Sequence, residues 1–373
     1  MRFTIRREEL LKGLTIASRA VASKVAVPVL ANLKIELDER GLFITGSNYD
    51  LTIRTFVPYK QDELEIIRNY KEGATLINSK IITEIARKMG CEEITLDVID
   101  STIATVSGGG SEYKLNCVRP EEYPDLDLDS TGTKLTLMKE QFDTIVTQTA
   151  FAASTKEQRP MLTAMNLEAS HGVLTVTATD SARLARKEII IDSDVEFVAN
   201  VPAKMMVEVD HLLEGIPSVD IAFSDKKALF SLGRTVIASR LIAGDYPNTK
   251  SVLPKVTNYT LEINASDLIK AIERANILSI DRENVVDLSM DENSVEISAK
   301  SSQVGSAIER IELFKFEGGS LKISFNSEFV LAAVRALGCE DVTFLFVADM
   351  KAFVIKNAAD DSIVQIVTPV RPY

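Results

Sequence analysis

The sequence has few or none of the features of secreted, zinc-binding and membrane-spanning proteins. Its 373 residues include three cysteines, Cys91, Cys117 and Cys339, which lie far apart and form no C-x-x-C pair. This spacing argues against a disulfide scaffold or a zinc site and is typical of a reducing compartment. There is no run of 18 apolar residues and no hydrophobic signal region at the N-terminus. We therefore expect a soluble, cytoplasmic protein that binds no metal and no cofactor.

Residues arranged for catalysis are equally scarce. The two histidines, His171 and His211, belong to no metalloprotease motif, and there is no nucleophile elbow. The glycines at 108–110 lack the G-K-[ST] ending of a phosphate loop, so they predict a hairpin tip. A metal-dependent nucleic-acid hydrolase and a purely structural repeat protein remain alternatives. The absence of a repeated set of Asp, Glu and His disfavours the hydrolase, and we expect no enzyme activity.

Positive charge is also in deficit. The chain has 42 Lys and Arg against 54 Asp and Glu, for a net charge of −12. Binding to nucleic-acid phosphates needs cations, so the total charge argues against it. The distribution is uneven, because residues 1–24 carry six cations and two anions, whereas 119–130 carry one cation and five anions. Segregated charge allows a basic inner surface and an acidic outer one, although a solvated acidic surface is the simpler interpretation.

What the sequence does contain is one pattern repeated three times. The string FTIRREELLK from Phe3 aligns with LTLMKEQFDT from Leu135 and with LEINASDLIK from Leu261. The spacings of 132 and 126 residues are domain-sized and exceed the roughly 20–50 residues of solenoid repeats. Later in the copies the strings INSK, VPAK and FNSE recur, each before a helical pattern. The chain is therefore one domain present in three copies.

Each copy predicts an α+β domain with mostly antiparallel pairing. The predicted order of elements is β-α-β-β-β-(β)-α-β-β-β. In the first copy, Leu10, Leu11 and Leu14 recur at helical spacing after a short alternating strand. The second helices are predicted at 78–89, 202–214 and 326–337. Linkers at 125–133 and near 254–257 follow the related strings EYPDL and DYPNT, which gives domains of 1–126, 127–254 and 255–373.

Several strings make the chain similar to a known family. They are MRFTI at 1–5, PVLANL at 28–33, TATD at 177–180 with RL at 183–184, SRLI at 239–242 with GDYP at 244–247, and TPVR at 368–371. With its length and triplication, the chain resembles the bacterial DNA polymerase III beta subunit, the sliding clamp. The resemblance implies the DNA clamp fold: three similar domains of antiparallel sheet plus two helices, in a head-to-tail dimeric ring with helices lining a channel around duplex DNA.

The resemblance also implies a function and partners. A sliding clamp tethers the replicative DNA polymerase to duplex DNA, independently of base sequence, and confers processivity without catalysis of its own. Its clamp loader and repair proteins bind through short peptides that enter a hydrophobic pocket. No membrane is involved. Basic inner helices would face the phosphates while the acidic exterior discourages other DNA contacts.

The resemblance assigns three sets of residues. The DNA-contacting set comprises Lys24, Lys80, Lys156, Arg159 and Lys204. The pocket set, which would accept Leu and Phe and fix a glutamine of the peptide, comprises Leu162, Thr179, Ser181, Leu184, Pro247, Val252, Ala352, Ile366, Thr368, Pro369, Val370 and Arg371. The dimer set comprises Tyr113, within a strand at 103–117, together with Ile277 and Leu278 at an edge of the third domain.

Simpler interpretations of these residues stay open. Thr179 and Asp180 also suit an ordinary turn at the end of a strand. Ile277 and Leu278 also suit a core pair after a helix, and the tail at 366–373 suits a final strand as well as a surface lip. The chain departs from its relatives at Ser181, where glycine is common, at residue 251, which lacks a basic side chain, and at its 372–373 end. These departures leave the peptide preference open.

Overall fold

The computed structural model describes residues 1–22, 27–99, 102–249, 251–254, 256–279 and 284–371. The predicted DNA-contacting residue Lys24 and the 372–373 end lie outside these ranges. The chain forms two compact units. The first contains Met1–Lys139 and His211–Leu241, and the second contains Glu140–Asp210 and Ile242–Tyr373.

The first repeat contains two helices and eleven strands. They are β1 (Arg2–Arg6), α1 (Arg7–Ser18), β2 (Asn32–Asp38), β3 (Gly41–Ser47), β4 (Leu51–Pro58), β5 (Lys60–Gln61), β6 (Leu64–Glu65), β7 (Ile67–Lys71), β8 (Gly73–Asn78), α2 (Ser79–Lys88), β9 (Glu93–Val98), β10 (Ile103–Gly108) and β11 (Ser111–Val118). The predicted hairpin tip lies between β10 and β11, where Gly109 and Gly110 have φ of 57° and 83°. This left-handed backbone favours glycine.

The second repeat contains two helices and eight strands. They are β12 (Thr133–Met138), α3 (Lys139–Thr149), β13 (Ala164–Ser170), β14 (Val173–Thr179), β15 (Arg183–Ile190), β16 (Phe197–Pro202), α4 (Ala203–Leu212), β17 (Ser218–Phe223), β18 (Lys227–Leu232) and β19 (Thr235–Arg240). Two short 3-10 turns, Ala150–Ala152 and Pro160–Thr163, follow α3. This repeat has the predicted order of elements.

The described residues of the third repeat form two helices and nine strands. They are β20 (Tyr259–Asn264), α5 (Ala265–Asn276), β21 (Val285–Met290), β22 (Val295–Ser301), β23 (Gly305–Ile311), β24 (Phe314–Glu317), β25 (Leu321–Asn326), α6 (Ser327–Leu337), β26 (Asp341–Phe346), β27 (Phe353–Asn357) and β28 (Asp360–Val367). The side chains of Asn264 and Asn326 accept hydrogen bonds from the first amides of α5 and α6, which satisfies N–H groups that have no partner within the helix.

The predicted order is incomplete for the first and third repeats. The third contains one additional strand, β24, and the first contains three, β5, β6 and β7. Of these, β7 and β24 pair antiparallel with the first strand of their repeat. The connections that hold these strands span 59–72 and 312–320, whereas the corresponding connection in the second repeat spans only 191–196 and is irregular. A six-residue connection leaves little chain for an added strand, since strands usually need about five residues.

Within the first unit, thirteen strands form one sheet in the order β12-β17-β18-β19-β4-β3-β2-β8-β11-β10-β9-β1-β7. The sheet passes from the second repeat to the first where β19 pairs antiparallel with β4, from Thr235 opposite Thr55 to Ser239 opposite Leu51. On α1, Leu10, Leu14 and Ala17 are buried at helical spacing, as the sequence predicts, and pack in the core of the first repeat.

Within the second unit, nine strands form a sheet in the order β16-β13-β14-β15-β28-β27-β26-β20-β24, and four form a second sheet in the order β23-β22-β21-β25. The larger sheet passes from the second repeat to the third where β15 pairs antiparallel with β28. Phe344, Phe346 and Phe353 are fully buried within the core of the third repeat. The junction of β15 and β28 positions the candidate site.

Candidate peptide-binding site

An apolar cavity of about 550 Å³, here called the groove cavity, lies beside the junction of β15 and β28. Eight of the residues predicted for the peptide pocket line it: Leu162, Thr179, Ser181, Leu184, Pro247, Val252, Ile366 and Thr368. Leu184 and Ile366 lie opposite each other across the two strands, so both repeats contribute to one wall. The volume falls within the roughly 300–1,000 Å³ of pockets that bind small ligands.

Four predicted pocket residues do not line this cavity: Ala352, Pro369, Val370 and Arg371. Ala352 packs behind the wall, in an apolar cluster with Leu184 and Ile366. The chain beyond β28 is held in place, because the Val370 amide donates a hydrogen bond to the Ser324 carbonyl. The strand interpretation of the tail is therefore right only as far as Val367.

Sequence reasoning missed six residues that line the cavity as pocket residues: Arg159, Met161, Arg183, Asp245, Asn248 and Thr249. Five of them lie within two positions of a predicted pocket residue in the sequence, so their neighbours were the available signal. Arg159 was assigned to DNA. The structure places it at the groove cavity, in the loop that leads into the turn Pro160–Thr163, and its assignment to DNA stays a prediction.

The wall from Thr179 to Leu184 is a tightly hydrogen-bonded turn. The Thr179 hydroxyl donates to the Arg183 carbonyl over 2.6 Å and accepts from the Ser181 amide over 3.1 Å. The Asp180 carboxylate accepts from the amides of Ala182 and Arg183, both over 2.9 Å. The turn and pocket-wall interpretations are thus compatible, since one segment does both. Ser181 has a φ of 79°, a conformation that is costly for a residue with a Cβ.

The Arg183 side chain stiffens this wall from behind. Its guanidinium lies 4.5 Å from the ring centre of Phe329 on α6 and 5.6 Å from that of Phe151 in the turn Ala150–Ala152. Its Nε also donates to the Asp180 carboxylate over 3.0 Å. Cation–π contacts and a largely buried ion pair restrict the arginine strongly. The cavity wall is therefore held in one shape before any ligand arrives.

The segment 245–249, which precedes the second linker and is here called the strap, forms another side of the groove cavity. Asp245, Pro247, Asn248 and Thr249 face the cavity. Tyr246 is directed into the protein, where its phenol oxygen is buried and burial raises the pKa of the phenol above its ordinary value. Tyr246 therefore anchors the strap while its neighbours remain available to a ligand.

The predicted DNA-contacting cations occupy different kinds of position. Lys80 and Lys204 lie exposed near the starts of α2 and α4. Lys156 lies exposed in the loop after α3. In the part of the chain that the structure describes, Lys80, Lys156, Arg159 and Lys204 form no ion pair. They are therefore available to phosphates or to other anions.

The expectation of basic helices holds for one helix. Among the six described helices, α2 alone is net positive, with three cations against one anion. The helices α3 and α4 each carry one cation and two anions, and the others are balanced. The helix α3 is not basic because Lys156 and Arg159 lie in the loop that follows it and not on the helix.

The predicted dimer residues lie at strand edges or beside them. Tyr113 is 40% exposed on β11 and Ile277 is 67% exposed at the end of α5. Leu278 packs against the core of the third repeat, so the core interpretation is right for Leu278 and wrong for Ile277. Ile308 on β23, which the sequence analysis did not single out, is also 60% exposed. The alternation of apolar and polar residues along a strand does not show whether another segment packs on the outward face of that strand.

Over the described ranges, there is no group of three or more His, Cys, Asp or Glu that could hold a metal ion. No described helix is both long and apolar enough to span a membrane.

Comparisons with known proteins match the whole length of the chain. The models of the N-terminal, central and C-terminal domains of the DNA polymerase III beta subunit match residues 1–127, 136–248 and 250–371. The beta sliding clamp of Halalkalibacterium halodurans is 33% identical over 381 residues, with full coverage of both chains. The crystal structure of the Bacillus subtilis DNA polymerase sliding clamp is 30% identical, with full coverage and a TM-score of 0.96.

A second solved structure, the DNA polymerase III beta chain of Streptococcus pneumoniae, is 30% identical with full coverage and a TM-score of 0.95. The matches agree with the triplicated α+β architecture and with the resemblance found in the sequence. The chain belongs to the DNA polymerase III beta subunit family, the beta sliding clamps.

Proposed function

We propose that this sliding clamp encircles duplex DNA as a head-to-tail ring of two copies, with repeats bounded at 1–126, 127–254 and 255–373. It tethers the replicative polymerase, the clamp loader and repair proteins through the groove cavity, works in the cytoplasm and catalyses no reaction. The observation that carries the tethering role is the groove cavity itself, preformed at the junction of β15 and β28 and lined by eight residues of the predicted pocket.

The chemistry of the groove cavity suits a short extended peptide. Leu162, Leu184 and Ile366 offer an apolar surface for leucine and phenylalanine side chains. Thr179 and Thr368 place hydroxyl groups at the same cavity, where they can fix a glutamine. A short peptide buries little area, so a micromolar affinity of about −8 kcal/mol is the expected scale. Affinities of that size suit partners that must exchange.

Two strand edges support the head-to-tail dimer. Residues 111–116 of β11 pair with β10 on one side, and β11 reaches β8 only at Cys117 and Val118. At the other end of the chain, β23 is the last strand of its sheet and pairs with β22 alone among the described strands. Exposed edges of this kind are usually covered. We propose that β11 of one copy pairs with β23 of the other.

Apolar side chains accompany both edges. Ile103 and Tyr113 are exposed beside the first edge, and Ile277 and Ile308 beside the second. Complementary edges at different places on one chain make a heterologous contact, which closes into a ring only if the rotation between copies is right. Two such contacts would close a ring of two copies and cover every side chain named here.

A ring around duplex DNA needs only weak contacts with the phosphates, so its binding is independent of base sequence. Lys80 and Lys204 are exposed at helix starts, where the helix dipole also favours anions. We assign both to the DNA-facing surface, together with Lys24 and Lys156. The net charge of −12 disfavours tight binding to DNA outside the ring.

The test combines mass and topology. Sedimentation of the pure protein should give a dimer of about 82 kDa, twice the 41.0 kDa of one chain. After loading, the protein should stay on circular DNA and leave linear DNA through its ends. A monomer, or equal retention on circles and linear DNA, would contradict the ring.

The groove is tested separately with a synthetic peptide that carries one glutamine followed by leucine and phenylalanine. Fluorescence anisotropy should show micromolar binding, and Leu184→Asp should abolish it. Binding that survives this charge in the cavity wall would contradict the assignment of the groove.

A further inference from the structure

A second cavity shares the strap with the groove cavity. It measures about 260 Å³ and is lined by side chains of β13, β14, β15 and β16, and by the strap. Asp245, Pro247, Asn248 and Thr249 line both cavities. A ligand that occupies the groove cavity therefore lies beside the entrance of the second one, here called the polar cavity.

The polar cavity lies over one face of the sheet, as strand register shows. Asn166 lies opposite Thr177, which lies opposite Arg186, and in the next row Glu168 lies opposite Thr175. All five side chains line the cavity. Side chains two residues apart share a face of a strand, so this face is polar where a buried face would be apolar.

The charge of the polar cavity is negative. Arg186 is already paired, since its guanidinium lies 2.5 Å from the Glu188 carboxylate. Glu168 and Asp245 also line the cavity, and neither forms an ion pair with any described residue. Two carboxylates without an ion-pair partner and one guanidinium, already paired with Glu188, thus line the cavity. A cation that entered would gain two partners, whereas a phosphate would be repelled.

The first repeat shows that this charge is not a general property of the fold. Glu36 stands 132 residues before Glu168 and is paired with both Lys34 and Arg54. Phe43, which stands 132 residues before Thr175, lies under the guanidiniums of Arg40 and Arg54. In that repeat the equivalent carboxylate is satisfied and an aromatic ring covers the sheet. In the second repeat the equivalent carboxylate, that of Glu168, has no ion-pair partner among the described residues.

We propose that the polar cavity is an extension of the partner-binding groove that accepts a lysine or arginine side chain of the bound partner peptide. The inference rests on the proposed peptide-binding function and names a recognition element for it. The apolar residues of the peptide occupy the groove cavity, and a basic residue a few positions away passes the strap and meets Glu168 and Asp245. The clamp thereby prefers basic flanks in its partners.

The test uses the full-length protein and a set of synthetic peptides. Each keeps the glutamine, leucine and phenylalanine and carries one lysine placed one to five positions before or after them, and the reference carries norleucine there. Lysine at one or two neighbouring positions should tighten binding about fivefold, the scale of an ion pair at a partly exposed site. The gain should fall at high salt, which screens exposed charges.

The Glu168→Gln variant should reduce the gain from lysine to less than twofold. Glu36→Gln, the matched change in the first repeat, should leave the gain at its full size. The inference is overturned if no lysine position tightens binding, or if Glu168→Gln keeps the gain. Failure of the norleucine peptide itself to bind would instead reject the groove, and with it both proposals.

Discussion

Tyr123 and Tyr246 are equivalent tyrosines in EYPDL and DYPNT, the two strings that lead into the linkers of the chain. Their phenol oxygens are shielded from solvent, and burial raises the pKa of both. Tyr123 lies near the backbone of Ser47, and Tyr246 near that of Thr179, which are 132 residues apart in the sequence. The segment that leads into each linker is thus held in the same way, next to the turn that follows β3 in the first repeat and β14 in the second.

The linkers differ three residues after the tyrosine, and this difference leads to a prediction. Leu126 packs against Leu30 and Tyr123, whereas its counterpart Thr249 lines the groove cavity. Thr249→Leu should fill part of the cavity and weaken peptide binding by about tenfold or more, because an occupied site must be cleared before binding. Anisotropy with the norleucine peptide measures this effect.

Thr249→Ser is the matched control, since it keeps the hydroxyl and adds no volume. It should bind the peptide almost as well as the original protein. Equal affinity of the leucine variant would show that the strap does not border the bound peptide.

Ser181→Gly should stabilise the protein by about 0.5–1 kcal/mol. The φ of 79° at Ser181 costs a residue with a Cβ about 1–2 kcal/mol, and the greater freedom of glycine in the unfolded chain offsets part of the gain. Urea unfolding measures the difference. Ser181→Ala removes the hydroxyl but keeps the Cβ, so it should give no gain, and equal stabilisation by both changes would contradict the account.

The Lys187–Asp360 pair should make stability depend on pH. Lys187 is 8% exposed and lies 2.9 Å from Asp360, and the hydrogen bonds from Lys187 and Ser362 lower the pKa of Asp360 to about 2. Because this pKa lies below that of the unfolded chain, the stabilisation is complete above about pH 4 and is lost as the pH falls towards 2. The pair spans the junction of β15 and β28.

Asp360→Asn should therefore lower the free energy of unfolding by about 1 kcal/mol at pH 6, a value discounted because Asp360 is 35% exposed. The difference from the original protein should shrink between pH 4 and pH 2. Asp361→Asn, at a side chain that is 90% exposed, is the neighbouring control and should have no such effect. A difference for Asp360→Asn that is constant with pH would refute the linkage.

Ile277→Lys and Ile308→Lys should each convert the proposed dimer into monomers. Both side chains are largely exposed beside the edge of β23, and a buried, unpaired lysine there would cost several kcal/mol of association free energy. Sedimentation velocity gives the mass. Ile190→Lys is the control, because Ile190 is 80% exposed at the end of β15, which is an interior strand of its sheet and belongs to neither proposed edge. Its dimer should persist, and dimers of all three variants would reject the interface.

The sequence predicted the elements that local pattern determines. The spacing of Leu10, Leu11 and Leu14 predicted α1, and the glycines of the hairpin tip marked the turn between β10 and β11. The related strings EYPDL and DYPNT aligned the two linker tyrosines. Eight of the twelve pocket residues that the family resemblance implied line the groove cavity, and they come from four separate segments of the chain.

Features that depend on distant segments could not be predicted in this way. The stacking of Arg183 on Phe151 and Phe329 joins a strand, a 3-10 turn and a helix from two repeats, and no single segment encodes it. The position of Arg159 at the groove cavity was not anticipated for the same reason, and its assignment to DNA stays a prediction. The extra strands β7 and β24 form where the connection between two sheet strands is long. Residue periodicity does not report the length of such a connection.

The two large sheets have a consequence for the middle repeat. Its strands β12 and β17–β19 belong to the sheet of the first unit, and β13–β16 to that of the second. Five residue pairs join it to the first repeat and five to the third. Proteolysis at both linkers would give a fragment in which β19 and β15 each lack a partner strand on one side. Such unpaired edges would make the fragment prone to aggregate. The repeat is the unit of the sequence pattern, whereas each compact unit of the structure takes strands from two repeats.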